Sequence, residues 1–187
     1  MLINFYHNKL NISYYHFLII DLNINYIYQK EPKGISQAIS LCERFVSDKF
    51  AVILGDNVYE EPVKINESDN AQIILTDHKE LERFGVATIQ ENKIISIVEK
   101  PKFIDRTLKN YAVTGCYIFD ELFFDLFKQT VPSARGEFEI VDIIKLYLSL
   151  NKLDYSIING EWVDAGTFSA INYISNLFYN KEKINYK

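Results

Sequence analysis

Phe50-Ala51-Val52-Ile53-Leu54-Gly55-Asp56-Asn57 is an apolar run that stops at a glycine, a carboxylate and an amide. Apolar residues from Phe50 to Leu54 without alternation suit a strand covered on both faces, as in a mostly parallel sheet with helices on either side. In such sheets ligands gather beyond the carboxyl ends of strands, where Gly55 lets the backbone turn closely and Asp56 faces the crevice. Gly-Asp-Asn also reads as a turn that simply closes a strand, the more ordinary reading of the stretch taken alone.

Working outward, Asn23 to Gln29 reads as a strand and Gln29-Lys30-Glu31-Pro32-Lys33-Gly34 as a loop, with Pro32 restricting Glu31 and Gly34 punctuating a helix start. Ile35, Ala38, Ile39, Cys42, Phe45 and Val46 recur at helical spacing. The order strand, loop, helix, strand is that of a βαβ unit ending at Asp56. Downstream, Ala71 to Leu75 reads as a strand, and Phe84 to Gln90 with Lys93 to Glu99 as a hairpin across Glu91-Asn92. Ala112 to Phe119 predicts a further strand, Glu121 to Gln129 a short helix, Glu139 to Leu150 a longer one and Tyr155 to Ile158 another strand. A terminal helix follows Trp162-Val163-Asp164-Ala165-Gly166-Thr167. Met1 to Asp21 has neither periodicity cleanly.

A chain of 187 residues that is 48% hydrophobic and 24% charged suffices for one domain with a sizeable core. Its net charge of -5 and pI near 5.3 argue against a nucleic-acid surface, so an anionic ligand must be held by a few local cations or a metal. Cys42 and Cys116 read as reduced core residues, and His7, His16 and His78 lack metal-ligand spacing. No apolar run approaches the length that spans a bilayer and no leader pattern opens the chain, so no membrane partner and a cytoplasmic location are expected.

Four clusters at predicted strand ends could carry chemistry: Gly55-Asp56-Asn57, Val98-Glu99-Lys100-Pro101, Ala112-Val113-Thr114-Gly115 and Trp162-Val163-Asp164-Ala165-Gly166-Thr167. Two aspartates on separate strand ends, Asp56 and Asp164, could share one Mg²⁺, a hard cation that takes oxygen ligands and keeps water or phosphate for the rest. Singly, Asp164 reads as a turn former before Gly166, Lys100 as a solvated strand-end lysine, and Ser133-Ala134-Arg135-Gly136-Glu137 as a polar loop capping a helix.

The order of the clusters resembles the sugar-1-phosphate nucleotidylyltransferase family, most closely its glucose-1-phosphate thymidylyltransferases. The resemblance runs from about Asn23 to about Asn176 through Tyr28-Gln29-Lys30-Glu31-Pro32-Lys33-Gly34-Ile35-Ser36-Gln37-Ala38, Leu54-Gly55-Asp56-Asn57, Glu82-Arg83-Phe84-Gly85-Val86-Ala87 and Val98-Glu99-Lys100-Pro101-Lys102. It continues through Asn110-Tyr111-Ala112-Val113-Thr114-Gly115-Cys116-Tyr117, Pro132-Ser133-Ala134-Arg135-Gly136-Glu137-Phe138-Glu139-Ile140-Val141-Asp142 and Trp162-Val163-Asp164-Ala165-Gly166-Thr167. The resemblance implies an α/β fold, a Rossmann-like three-layer sandwich with a mixed, mostly parallel sheet. It implies Mg²⁺-dependent transfer of a nucleoside monophosphate, from dTTP in the closest relatives, to a hexose 1-phosphate with release of pyrophosphate. Carried over by motif, Asp56 and Asp164 hold Mg²⁺, Lys100 grips the sugar phosphate, Gln29 and Gly34 line the base pocket, Glu99 bonds sugar hydroxyls, and Gly85, Val113 and Tyr117 shape the sugar pocket.

These enzymes open with a strand and a loop of the form Gly-Gly-x-Gly-x-Arg-Leu, whereas Met1 to Asp21 contains no glycine. The resemblance therefore implies an N-terminally truncated member, with residues 1–22 unassigned and residues 23–187 forming a single partial domain. Unpaired strand edges and exposed apolar faces are expected to drive self-association into a homo-oligomer. A non-catalytic sugar-phosphate-binding module, or an inactive remnant, stays open beside the enzyme.

Overall fold

The longest strand, Lys109–Phe119, organises the sheet, and its buried residues Ala112 to Phe119 put apolar groups on both faces. The computed structural model describes residues 24–185. Strands are β1 (Phe50–Ile53), β2 (Asn57–Tyr59), β3 (Ala71–Thr76), β4 (Gly85–Gln90), β5 (Lys93–Glu99), β6 (Lys109–Phe119), β7 (Leu153–Ile157) and β8 (Trp162–Asp164). Helices are α1 (Ile35–Ser40), α2 (Leu122–Phe127), α3 (Ile140–Ser149) and α4 (Phe168–Asn185).

The main sheet runs β5-β4-β6-β3-β7, with β1 also on β6; β2 and β8 form a separate ribbon. Strands β1, β3 and β4 are each antiparallel to β6, while β7 is parallel to β3 and β5 antiparallel to β4. Hence β1, β3, β4 and β7 point one way and β5 and β6 the other: the sheet is mixed as expected, but among the described strands four of its five pairings are antiparallel, so it is not mostly parallel, because the central β6 runs against each of its neighbours. The expected hairpin is present: Glu91 and Asn92 both have positive φ, 50° and 59°, the left-handed pair that lets a two-residue turn follow the twist of its strands.

Beneath the sheet, α3 buries Ile140, Val141, Ile143, Ile144 and Tyr147, one face of a helix at the spacing that the sequence displays. These join an aromatic cluster in which the Phe119 ring lies 5.0 Å from Phe123, 5.5 Å from Tyr147 and 5.8 Å from Tyr117. The Tyr147 hydroxyl donates to Asp120 Oδ1 at 2.5 Å, which satisfies its polar end at the margin of the core. Both cysteines are free and buried. Burial raises the Cys42 thiol pKa to about 11 and that of Cys116 to about 12, so neither is a nucleophile at neutral pH.

Three further expectations are corrected. Residues 24–29 are not a strand: they pair with nothing regular among the described residues, and Tyr26 and Tyr28 are 91% and 85% exposed. Alternation of apolar and polar residues is not enough where no neighbouring strand takes the backbone hydrogen bonds. The first helix stops at Ser40 rather than reaching Val46; Cys42 N–H bonds Ile39 O at 2.9 Å, and Glu43–Phe45 forms a 3-10 turn that keeps Cys42 buried. No βαβ unit ends at Asp56, because β1 takes its partner from the distant β6. Asn23 and the segment before it lie outside the described residues. Among the described residues no helix is long and apolar enough to cross a membrane.

Candidate active site

Strands β1 and β4 lie on the same side of β6, end to end. Ala112 pairs with both Thr76 and Val86, and Ile118 with both Gln72 and Ala51, so β3 occupies one side while β4 and β1 share the other. Between them Val113 to Gly115 face a gap, bordered by the bond from Leu54 N–H to Gly115 O at 2.8 Å. A bulge in the β3 register falls at the same level, between Ile73 and Leu75. A cavity of about 510 Å³ opens at this gap, and Asp56, Asp164, Lys100, Glu99, Gln29, Gly34, Gly85, Val113 and Tyr117, scattered from residue 29 to residue 164, all line it.

The two aspartates are brought together by a ribbon that the sequence does not announce. Asn57, next to Asp56, pairs with Asp164 across β2 and β8, and Ala165 N–H donates to Asp56 O at 2.7 Å. Asp56 Oδ1 accepts from Asn57 Nδ2 at 2.8 Å, and Asp164 Oδ1 from Gly166 N–H at 3.1 Å. Neither carboxylate has an ion-pair partner among the described residues. This donor set is all oxygen, and among the described residues no group of three or more His, Cys, Asp or Glu is placed to hold a metal. Such a pair fits a cation like Mg²⁺, which is content with two carboxylates plus water and phosphate, and does not fit a fully protein-bound metal.

Glu99 and Lys100 enter from the far end of the hairpin. Gly85 pairs with Glu99, and a Cβ on Gly85 would lie 3.4 Å from Glu99 Oε2, so the absent side chain leaves the carboxylate open to the cavity. Lys100 N–H donates to Phe84 O at 3.0 Å, and the residue takes φ 42°, a conformation uncommon outside glycine. Its Nζ stands 3.9 Å from Glu99 Oε1. Burial lifts the Glu99 carboxyl above the usual carboxylate range, Lys100 pulling the other way and Glu139 adding to the rise. Burial likewise pushes the Tyr117 phenol up, so it stays neutral and can act only as a hydrogen-bonding wall.

Two loops close the rim. Phe138 N–H donates to Lys33 O at 2.8 Å, and Gly34, at φ 95°, passes so near that a Cβ would meet Phe138 O at 2.7 Å. Only glycine fits that crossing. Gln29 Nε2 donates to Gln37 Oε1 at 2.7 Å and Gly34 O at 3.4 Å, leaving its own carbonyl oxygen without a partner among the described residues. On the facing loop Arg135 grips Glu139 with contacts of 2.8 and 2.9 Å. Arg135, Glu139, Asn57 and Trp162 line the cavity, although sequence reasoning, which met them only as members of longer motifs, gave none of them a role of its own. No local signal marks them: Arg135 and Glu139 lie four apart but outside any helix, and the others depend on contacts across the fold.

The mixed α/β sheet interrupted by a carboxylate-rich cavity is of the nucleotide-diphospho-sugar transferase class of fold, which solved structures of that class share. The Nucleotidyl transferase family model matches residues 3–181, and the chain belongs to that family. It is 34% identical over 162 residues to a glucose-1-phosphate thymidylyltransferase of Neisseria meningitidis, covering 81% of this chain and 55% of the relative. It is also 34% identical over 145 residues to the bifunctional protein GlmU of Methanococcus maripaludis, covering 76% of this chain and 35% of the relative. Among solved structures, a provisionally described glucose-1-phosphate thymidylyltransferase from Bacillus anthracis, in complex with a sucrose, superposes with a TM-score of 0.72 at 39% identity, covering 83% of this chain and 65% of that one. The chain thus spans about half the length of the thymidylyltransferase it matches, and less of GlmU.

Proposed function

We propose that the chain serves a sugar-1-phosphate nucleotidylyltransferase that moves dTMP from dTTP to glucose 1-phosphate. A sugar phosphate oxygen forms the new bond to the α-phosphorus, the bond from that phosphorus to the bridging oxygen of the β-phosphate breaks, and pyrophosphate leaves. The observation that carries the reading is the convergence of Asp56, Asp164, Glu99 and Lys100 on one cavity. Displacement at phosphorus needs chiefly positioning and charge neutralisation, and no side chain here needs to serve as nucleophile.

In this reading Lys100 grips the phosphate of the sugar, with Glu99 and the space beside Gly85 receiving the hydroxyls. Val113 and the neutral Tyr117 exclude water from the ring. Gln29 and Gly34 meet the base, where the unspent Gln29 carbonyl oxygen accepts from a base N–H. Asp56 and Asp164 would hold Mg²⁺, which supplies Lewis-acid charge neutralisation when bound.

A second reading, sugar-phosphate binding without transfer, is favoured by the charge of the lining. Among the described residues Arg83, Lys100 and Arg135 line it with Asp56, Glu99, Glu137, Glu139 and Asp164, three cations against five carboxylates, a poor seat for a triphosphate without added cations.

The test is to incubate the full chain with dTTP, glucose 1-phosphate and Mg²⁺ and measure pyrophosphate, with calorimetry of glucose 1-phosphate binding alongside. Sugar-dependent pyrophosphate release, abolished in Asp56→Asn, supports transfer. Binding without release supports the second reading, and the absence of both defeats each. Lys100→Ala is expected to weaken glucose 1-phosphate about tenfold, in line with loss of one charge-assisted contact.

A further inference from the structure

Asn57 stands at the joint between the two aspartates and beside the sheet gap. Its side-chain oxygen accepts two hydrogen bonds, from Gly115 N–H at 2.9 Å and from Trp162 Nε1 at 2.6 Å. Its amide nitrogen donates to Asp56 Oδ1 at 2.8 Å. The orientation is dictated by chemistry: rotated by half a turn, the amide would point an NH₂ group at two other donors and an oxygen at a carboxylate. The fit is close, because a Cβ on Gly115 would lie 2.6 Å from Asn57 Cγ. Through its backbone the same residue pairs with Asp164. Strand β6, strand β8 and the Asp56 loop therefore meet at one amide group.

We propose that Asn57 is the positioning residue of the site: it sets the direction of the Asp56 carboxylate toward a divalent cation and couples that carboxylate to the indole of Trp162. The inference rests on the cation reading of Asp56 and Asp164. Donation to Oδ1 pins one oxygen and leaves the other to the cavity, which is how outer partners orient a ligating carboxylate. Because the same amide holds the indole, a shift of Asp56 on cation arrival is passed to Trp162. That residue is the sole tryptophan of the chain, and Phe84 packs against it at 5.0 Å and His78 at 6.0 Å.

The experiment uses the full chain. Bound Mn²⁺ is counted by electron paramagnetic resonance with Mg²⁺ as competitor, and Trp162 emission is followed in a separate titration with diamagnetic Mg²⁺. The expected result is one displaceable Mn²⁺ and an emission change whose midpoint matches the competition. No Mn²⁺ binding would remove the cation reading and this inference with it. Binding accompanied by flat Trp162 emission would overturn the inference alone. Asn57→Ala removes the amide, while Gly115→Ala displaces it without removing a polar group. Both are expected to weaken Mn²⁺ about tenfold and to silence the Trp162 response, at temperatures below the onset of unfolding. A purely structural role would lower the unfolding midpoint yet leave the Mn²⁺ constant within about twofold, against the larger loss typical of outer-shell partners, and that result overturns the proposal. Asn57→Ser, whose hydroxyl ends at the position of the Asn57 Cγ and so falls short of Asp56, Gly115 and Trp162 while leaving a polar group in the site, repeats the comparison in a milder background and is expected to show the same losses.

Discussion

The two walls of the cavity are built on different principles. Asp56, Asn57, Gly115, Trp162 and Asp164 sit on or beside strands, tied by the β2–β8 register and by the hydrogen bonds of one amide. Gln29, Gly34, Arg135 and Glu139 sit outside strands and helices, joined by the bond from Phe138 to Lys33 and by ion pairs in which the Arg135 side chain stays half-exposed. The contrast teaches that this fold assigns direction through backbone register where carboxylates must be held side by side. It uses side-chain pairs, cheap to exchange in water, where the rim of the cavity meets solvent.

The comparison breaks most sharply if the strand wall does not depend on the core beneath it. Phe119→Ala deletes a ring with 0% exposure that packs on Phe123, Tyr147 and Tyr117, and should cost about 3–5 kcal/mol in urea unfolding. A loss below about 1 kcal/mol, far under that range, would mean the wall is supported elsewhere. The rim should yield less. Gly34→Ala forces a side chain into a positive-φ crossing against backbone and should cost about 1–3 kcal/mol, read by thermal unfolding.

Smaller again is the effect of Glu99, where the sign follows from its raised pKa. Its contribution to stability is full below its ordinary value of 4.5 and is lost as pH rises through the folded-state value, so at neutral pH the ionised carboxylate opposes folding. Glu99→Gln is expected to raise the unfolding midpoint at pH 7 and to leave it unchanged near pH 4. An equal change at both pH values would show that packing, not charge, sets the effect. The smallest change is expected from Arg135→Ala, within about 0–1 kcal/mol for a half-exposed pair, with the remaining difference fading in high salt. A loss matching that of Gly34→Ala would erase the distinction between the walls.

From strand-end position alone only the pairing of Asp56 with Asp164 was legible. Lys100, Glu99, Gln29, Gly34, Gly85, Val113 and Tyr117 were singled out by the ordered resemblance to a family, since each taken singly reads as a turn, strand or solvated residue, and the structure adds that all of them line one cavity. Asn57 and Trp162 were not singled out, since an amide that joins three segments looks in sequence like any turn asparagine. Residues 24–29 show the converse. Their alternation signals a strand, but a strand exists only where another backbone stands beside it.

The sequence by itself determined the elements whose instructions are local. The hairpin at Glu91-Asn92 follows from turn chemistry, strand β3 and the apolar half of β6 from β-rich runs, and α3 from its apolar stripe. Periodicity states which face of an element is buried and is silent about the neighbour that buries it. Only the tertiary structure decided that β6 takes β4 along one half and β1 along the other, opening a gap where they fail to meet, and that Asn57 pairs with Asp164. Those are contacts between residues far apart in the chain, chosen by the packing of the whole sheet, and no stretch of sequence short enough to have a pattern contains them.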